Sequence, residues 1–150
     1  MSLTARIDIG ASPEHVWAVL ADLGSWRIWN PFMPEAAGTV QQGATMEVLI
    51  APPGGRAMRF KPTLLVVQPG RRLTWRGSVL FRGLFDGTHD FVLERLDGRH
   101  VRFTQSETFS GILAPVLVTP SFLETAQRGF VAMNEALKRR AEEPRLQAAA

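Results

Sequence analysis

The stretches "GTHDFVLE" and "HVRFTQSETF" carry the residues of this chain best suited to proton chemistry. His89 shares parity with Phe91 and Leu93, while Gln105 and Glu107 share parity with Val101 and Phe103. Residues two apart along a strand point to one face, so an imidazole, an amide and a carboxylate are expected together on the apolar side of neighbouring strands. An inward carboxylate is costly unless paired, and pairing with His89 would offset that cost. Three readings of the trio stay open. His89 and Glu107 could serve as general acid and base. The three groups could instead anchor a ligand carbonyl or hydroxyl without turnover. Or they are polar strand ends facing solvent, since a single bulge reverses the parity.

Other chemistries find little support. The chain has no Cys, which excludes disulfides and thiol chemistry, and its three His show no HxH, HxxxH or HExxH spacing. No metal is therefore expected. There is no GxSxG elbow, and "APPGGRA" lacks the ending of a phosphate loop, so a pocket that works without a cofactor is the expectation. The formal charge is +3 over 150 residues, and fifteen of the seventeen basic residues are Arg. Acidic residues are interleaved with most of them, the pattern of a solvated surface and not of a nucleic-acid-binding stripe. The N-terminus "MSLTARIDIGASPEH" has no apolar core of a signal peptide. The run "GILAPVLVTP" is too short and Pro-broken for membrane insertion. A cytoplasmic protein is expected, with a homodimer left open.

The elements that must position the trio read as follows. Ser2 to Gly10 alternates as a half-buried strand. Ser12, Pro13 and Glu14 start a helix whose apolar face is Val16, Trp17, Val19 and Leu20, and Gly24 ends it. A short second helix carries "SWRIWNPF". From Ala36 to Phe109 the period is two. Met46, Val48 and Ile50 form one inward row; Met58, Phe60, Leu64 and Val66 form another, with Pro62 marking an edge or bulge. Arg59, Lys61 and Glu47 fall on the outward parity, while Leu73 and Trp75 point inward. "DGR" at Asp97 to Arg99 marks a hairpin. The last element is a long helix opening at Thr119-Pro120-Ser121, with Ser121 and Glu124 at capping-box spacing. Phe122, Ala126, Phe130, Met133 and Leu137 make its stripe, and Pro144 stops it. Gln127 and Asn134 flank that stripe; one of them could reach the cavity, but a solvated flank is the expectation for both, as it is for His15 and His100.

These elements define one α+β domain over residues 1–143, with a flexible tail at 144–150. A curved antiparallel sheet of about six or seven strands must wrap the long C-terminal helix, because neither can otherwise bury its apolar side. Such a sheet diverges from the helix at one end, leaving a gap for side chains or a cavity. The rings of Trp26, Trp29 and Phe32 are placed to cover that gap or to plug a corner of the core. Phe60, Trp75, Phe91, Phe103 and Phe130 are its expected apolar walls, with His89, Gln105 and Glu107 as its polar groups.

The order strand, helix pair, strands and long C-terminal helix, together with "SPEHVWAVLADLGSWRIWNPF", "QPGRRLTWRG", "GTHDFVLE" and "MNEALKRRAE", resembles the START-like helix-grip (SRPBCC) superfamily. The resemblance runs from Leu3 to Glu143 and is to the polyketide cyclase/dehydratase-type branch, which includes many single-domain bacterial proteins. It implies a helix-grip fold and a small hydrophobic ligand, aromatic or lipid-like, held in an internal cavity. The alternative it implies is a cofactor-independent cyclase or dehydratase, with His89 and Glu107 acting on an enolisable ketone. The apolar run "GILAPVLVTP" could form a docking patch for a membrane surface or a protein partner; in the resemblance it overhangs the pocket mouth, where its apolar residues would complete the lid.

Overall fold

The computed structural model describes residues 1–144; the rest of the expected tail lies outside the described residues. Strand β1 (Ser2–Ile9) leads into helix α1 (Pro13–Ala21). Ser12 caps α1 by accepting from the His15 N–H at 3.2 Å, and Pro13 fills the first helical position, where no N–H is needed. The helix ends at Ala21, before Gly24, and a 3-10 turn (Leu23–Ser25) joins it to the one-turn helix α2 (Trp26–Trp29). The short strands β2 (Glu35–Ala37), β3 (Glu47–Ile50) and β4 (Met58–Phe60) follow. Then come β5 (Thr63–Gln68), β6 (Arg72–Ser78), β7 (Asp86–Asp97) and β8 (His100–Ser110). One turn of helix, α3 (Ala114–Leu117), precedes the long helix α4 (Pro120–Glu142).

The helix-grip architecture expected from the sequence is present, with one refinement. The strands form two antiparallel sheets, β1-β8-β7-β6-β5 and β2-β3-β4, instead of a single meander. The chain divides at Lys61-Pro62, where Pro62 has no N–H to continue a ladder. The Pro62 carbonyl instead accepts from Met46 N at 2.9 Å, and a lone bridge between Thr45 and Thr63 joins the sheets. A register shift between Leu64 and Val66 adds to the bend. Along β7 and β8 the register is regular from Asp86 to Arg95, so parity is kept through His89, Gln105 and Glu107.

Helix α4 spans about 35 Å at about 1.5 Å per residue. Its N-cap is Thr119, which accepts from Phe122 N at 3.1 Å. Pro120 belongs at the first helical position, which places Ser121 inside the first turn. The Ser121–Glu124 capping box therefore does not form, and Glu124 pairs with Arg128 at 3.5 Å instead. The C-terminal half of α4 buries Met133, Leu137 and Ala141 and packs on β1 and α1. Its N-terminal half faces the diverging sheet. Among the described residues, no helix is long and apolar enough to cross a membrane.

The close-packed end is tied by Glu142, whose Oε2 accepts from Gly10 N and from Lys138 Nζ, each at 2.6 Å. Burial alone would raise this carboxyl's pKa, but the Lys138 and Gly10 donors outweigh it and hold the value below the ordinary range. A lowered folded pKa gives stability that is fully present above the unfolded value and is lost as pH falls through the folded one. Urea denaturation of the wild type and of Glu142→Gln should thus differ at neutral pH. The gap should close as pH drops below about 4.3, the ordinary carboxyl value.

Candidate functional site

Where the sheet and the N-terminal half of α4 part, they enclose a cavity of about 390 Å³. Val48, Ile50 and Phe60 wall it from the small sheet, and Trp75 from the large one. Phe122 and Ala126 wall it from α4, and Phe32 from the segment after α2. Phe85, Phe109 and Phe122 cluster with centroids 5.1 to 6.0 Å apart. Among the described residues, two charged groups line the cavity: Arg56, on the exposed β3–β4 connection, and Glu107, on β8. Gly77 and Gly87, cross-strand partners on β6 and β7, leave part of the sheet floor bare. A Cβ at Gly87 would overlap the Glu107 carboxylate, so the missing side chain makes the carboxylate's seat. Beside the cavity, the Ser78 side chain and the Gly83 N–H hold the Asp86 carboxyl below its usual pKa.

Behind Glu107 runs a buried hydrogen-bond chain. The Gln105 amide nitrogen faces two acceptors, Asn134 Oδ1 at 2.8 Å and the Phe130 carbonyl at 3.4 Å. A backbone carbonyl can only accept, which orients the amide and turns Gln105 Oε1 toward His89 Nε2 at 2.8 Å. An oxygen acceptor there requires Nε2 to carry a proton. The other ring nitrogen, Nδ1, has no hydrogen-bond partner and stands 3.5 Å from Glu107 Oε1. His89 is 1% exposed, packed by Trp75, Phe91 and Phe130 at centroid distances of 4.7 to 5.3 Å.

The structure divides the expected site residues into two groups. Phe32, Phe60, Trp75 and Glu107 line the cavity. His89, Gln105, Phe91, Phe103 and Phe130 are buried and lie behind its walls. Of the three rings proposed as a cover, only Phe32 reaches the cavity. Trp26 is fully buried, its Nε1 donating to the Leu20 carbonyl at 3.0 Å, and Trp29 packs edge-on against it while half-buried. The Trp26 indole N–H finds its acceptor at the end of α1, so Trp26 belongs to the core, whereas the buried Trp29 Nε1 has no acceptor.

Asn134, expected in solvent, is buried and completes the Gln105 network. Gln127 donates to the Thr4 carbonyl at 3.2 Å. His15 is also corrected: both ring nitrogens are buried without partners. Residues the sequence left out include Ile50 and Phe109 on inward parity and Phe122 on the helix stripe, all reachable by extending the same rows. Phe85 and Val79 lie outside the strands, where no period applies.

Solved structures of known proteins share this fold. The aromatase/cyclase Zhui from Streptomyces sp. R1128 superposes with a TM-score of 0.76 at 18% identity, covering 100% of this chain and 98% of that one. A START superfamily protein from Mycobacterium smegmatis gives 0.76 at 12% identity, covering 94% and 97%. The di-domain ARO/CYC BexL of the BE-7585A biosynthetic pathway gives 0.69 at 14% identity, covering 95% of this chain and 50% of that one. No curated protein sequence matches. A family model described as polyketide cyclase / dehydrase and lipid transport matches residues 1–142, the whole of the domain that builds the cavity and its buried polar chain. On that match, the chain belongs to the polyketide cyclase/dehydrase and lipid transport family.

Proposed function

We propose that this chain binds a small, largely apolar molecule in the cavity between the curved sheet and the N-terminal half of α4, with a hydrogen-bond donor of the ligand against Glu107. The observation that carries the reading is Glu107 itself, the one acidic side chain among the described residues on an otherwise mostly apolar wall. A carboxylate there accepts but cannot donate unless protonated, so a hydroxyl or amine on the ligand suits it. About 390 Å³ lies within the range of small-molecule pockets, and two or three fused rings would occupy it.

Trp75 on the wall provides a fluorescence readout. Naphthol should quench it at lower concentration than methoxynaphthalene, which has the same body and no donor. A hydrogen bond to a charged group is worth about 1.5–3 kcal/mol, so the preference should be at least about tenfold. Glu107→Leu should abolish the preference while leaving methoxynaphthalene binding intact. If neither probe binds, or if the preference survives the substitution, the reading fails.

The His89–Glu107 pair supports a second reading, an acid–base enzyme of the cyclase or dehydratase type. In that case Glu107, which faces the cavity, takes a proton from carbon next to a ketone. His89 acts from behind as a positioning residue, its Nδ1 3.5 Å from Glu107 Oε1. His89→Phe should then lower kcat while KM changes little, once a ketone substrate is turned over by the wild type.

A further inference from the structure

Beside the cavity the protein displays an apolar surface that the ligand site does not use. Leu80 and Phe81, in the β6–β7 connection, are 88% and 60% exposed. Ile112 and Val116, in the connection holding α3, are 77% and 71% exposed, with Leu113 and Leu117 also in solvent. Six of the eleven exposed large apolar side chains among the described residues thus sit on two short segments. Ile112 N donates to the Gly83 carbonyl at 3.0 Å and Leu113 N to the Leu84 carbonyl at 2.9 Å, so the segments are joined into one surface.

That surface is held open. Val79 N donates to the Phe85 carbonyl at 2.9 Å, and the Asp86 carboxylate accepts from Gly83 N at 3.1 Å, which fixes the β6–β7 connection. Leu80 takes a left-handed φ of 64°, a strained conformation for a branched side chain, and gains no burial from it. Isolated exposed apolar residues are ordinary; a fixed cluster of six with one strained member marks a contact surface.

We propose that these two segments dock the protein on an anionic lipid surface, with the cavity beside the contact. Charge and continuity favour a bilayer. Residues 79–85 and 108–123 carry a single charged side chain, the exposed Arg82, and the cationic side chain that lines the cavity is Arg56. The neighbouring Asp86 is buried and turned onto Gly83 N, and Glu124 pairs with Arg128, so apolar tips with Arg82 as their exposed charge match a headgroup layer over acyl chains. The patch is also continuous with the cavity wall: Val79 and Phe85 line the cavity immediately beside Leu80, Phe81 and Leu84 in the chain. The inference goes beyond the ligand reading, since it requires no ligand in the cavity.

The test is co-sedimentation of the full chain with vesicles of phosphatidylcholine alone and of phosphatidylcholine with phosphatidylglycerol. The wild type should pellet with the mixed vesicles, less with the neutral ones, and less again at high salt. Leu80→Asp combined with Val116→Asp should reduce partitioning by at least about tenfold, because each removes a buried apolar side chain from the lipid contact. Arg82→Ser should weaken binding to the anionic vesicles only. All of these positions are exposed, so thermal midpoints should stay unchanged, and naphthol titration of the same variants reports the cavity separately. Wild type that stays in the supernatant overturns the proposal, as does equal pelleting of the variants. A dimer in sedimentation equilibrium that the Leu80/Val116 pair dissolves would also overturn it, by assigning the patch to a second copy of this chain.

Discussion

Gln105→Leu is expected to destabilise the protein by about 2–5 kcal/mol, because it orphans two buried groups at once. Leucine fills a similar volume, so the loss comes from polar accounting and not from a hole. Gln105 is wholly buried and bridges β8 to α4, giving its oxygen to His89 Nε2–H and its nitrogen to Asn134 Oδ1. Without it, the His89 N–H and the Asn134 oxygen each stay dry and unpaired. In a chain of this size such a loss lowers the melting temperature by about 5–15 °C. Adding His89→Phe to Gln105→Leu should recover roughly half of the loss, since an unmet donor is then removed with its acceptor. Urea denaturation of the two single variants and the pair measures this coupling. A loss below about 1 kcal/mol for Gln105→Leu would mean that water reaches the network.

Gly129→Leu should cost about 3 kcal/mol and disturb the cavity as well. A helix interior normally disfavours glycine by about 1 kcal/mol relative to alanine, so backbone propensity alone argues for replacing it. Packing reverses the sign. Gly129 lies under the ring of Phe32, and even a Cβ would overlap its carbon atoms. The same ring sits 5.7 Å from Phe130 and lines the cavity, while the Phe32 carbonyl accepts from Ala51 N at 2.7 Å. With its backbone held, Phe32 can yield only by swinging its ring toward the cavity. Naphthol affinity should therefore fall together with stability. The double variant Gly129→Leu/Phe32→Ala should be more stable than Gly129→Leu alone, because the new side chain takes the vacated space. Two costs that simply add would show that the ring and the helix do not compete for that space.

The two positions differ in how far they could be read in advance. Gln105 and His89 were placed on a common inward face by parity alone, and the regular register of β7 and β8 keeps them there. That inference needed only the two-residue repeat of a strand. Asn134 was read as solvated, because on a helix the polar flank of an apolar stripe ordinarily faces water. Its burial depends on where the sheet crosses α4, which no local period encodes. Trp26 and Trp29 mislead for a related reason: aromatic type says that a ring will be covered, not by what. Gly129 and Gly87 gave no signal, since a glycine's role as a seat exists only once Phe32 or Glu107 lies over it.

By itself, then, the chain's own pattern determined the succession of strand, helix pair, strands and long C-terminal helix, the wrapping of the sheet around that helix and the inward face that holds His89, Gln105 and Glu107. All of these follow from periodicity, caps and Pro or Gly breaks within short windows. The tertiary structure alone decided that Glu107 meets the cavity while His89 stands behind it, that Asn134 closes the network, and that the sheet divides at Pro62. Those outcomes depend on distances between segments far apart in sequence. Such distances are set by how a closely packed core bends and stacks its layers, a property of the whole chain that no single stretch contains.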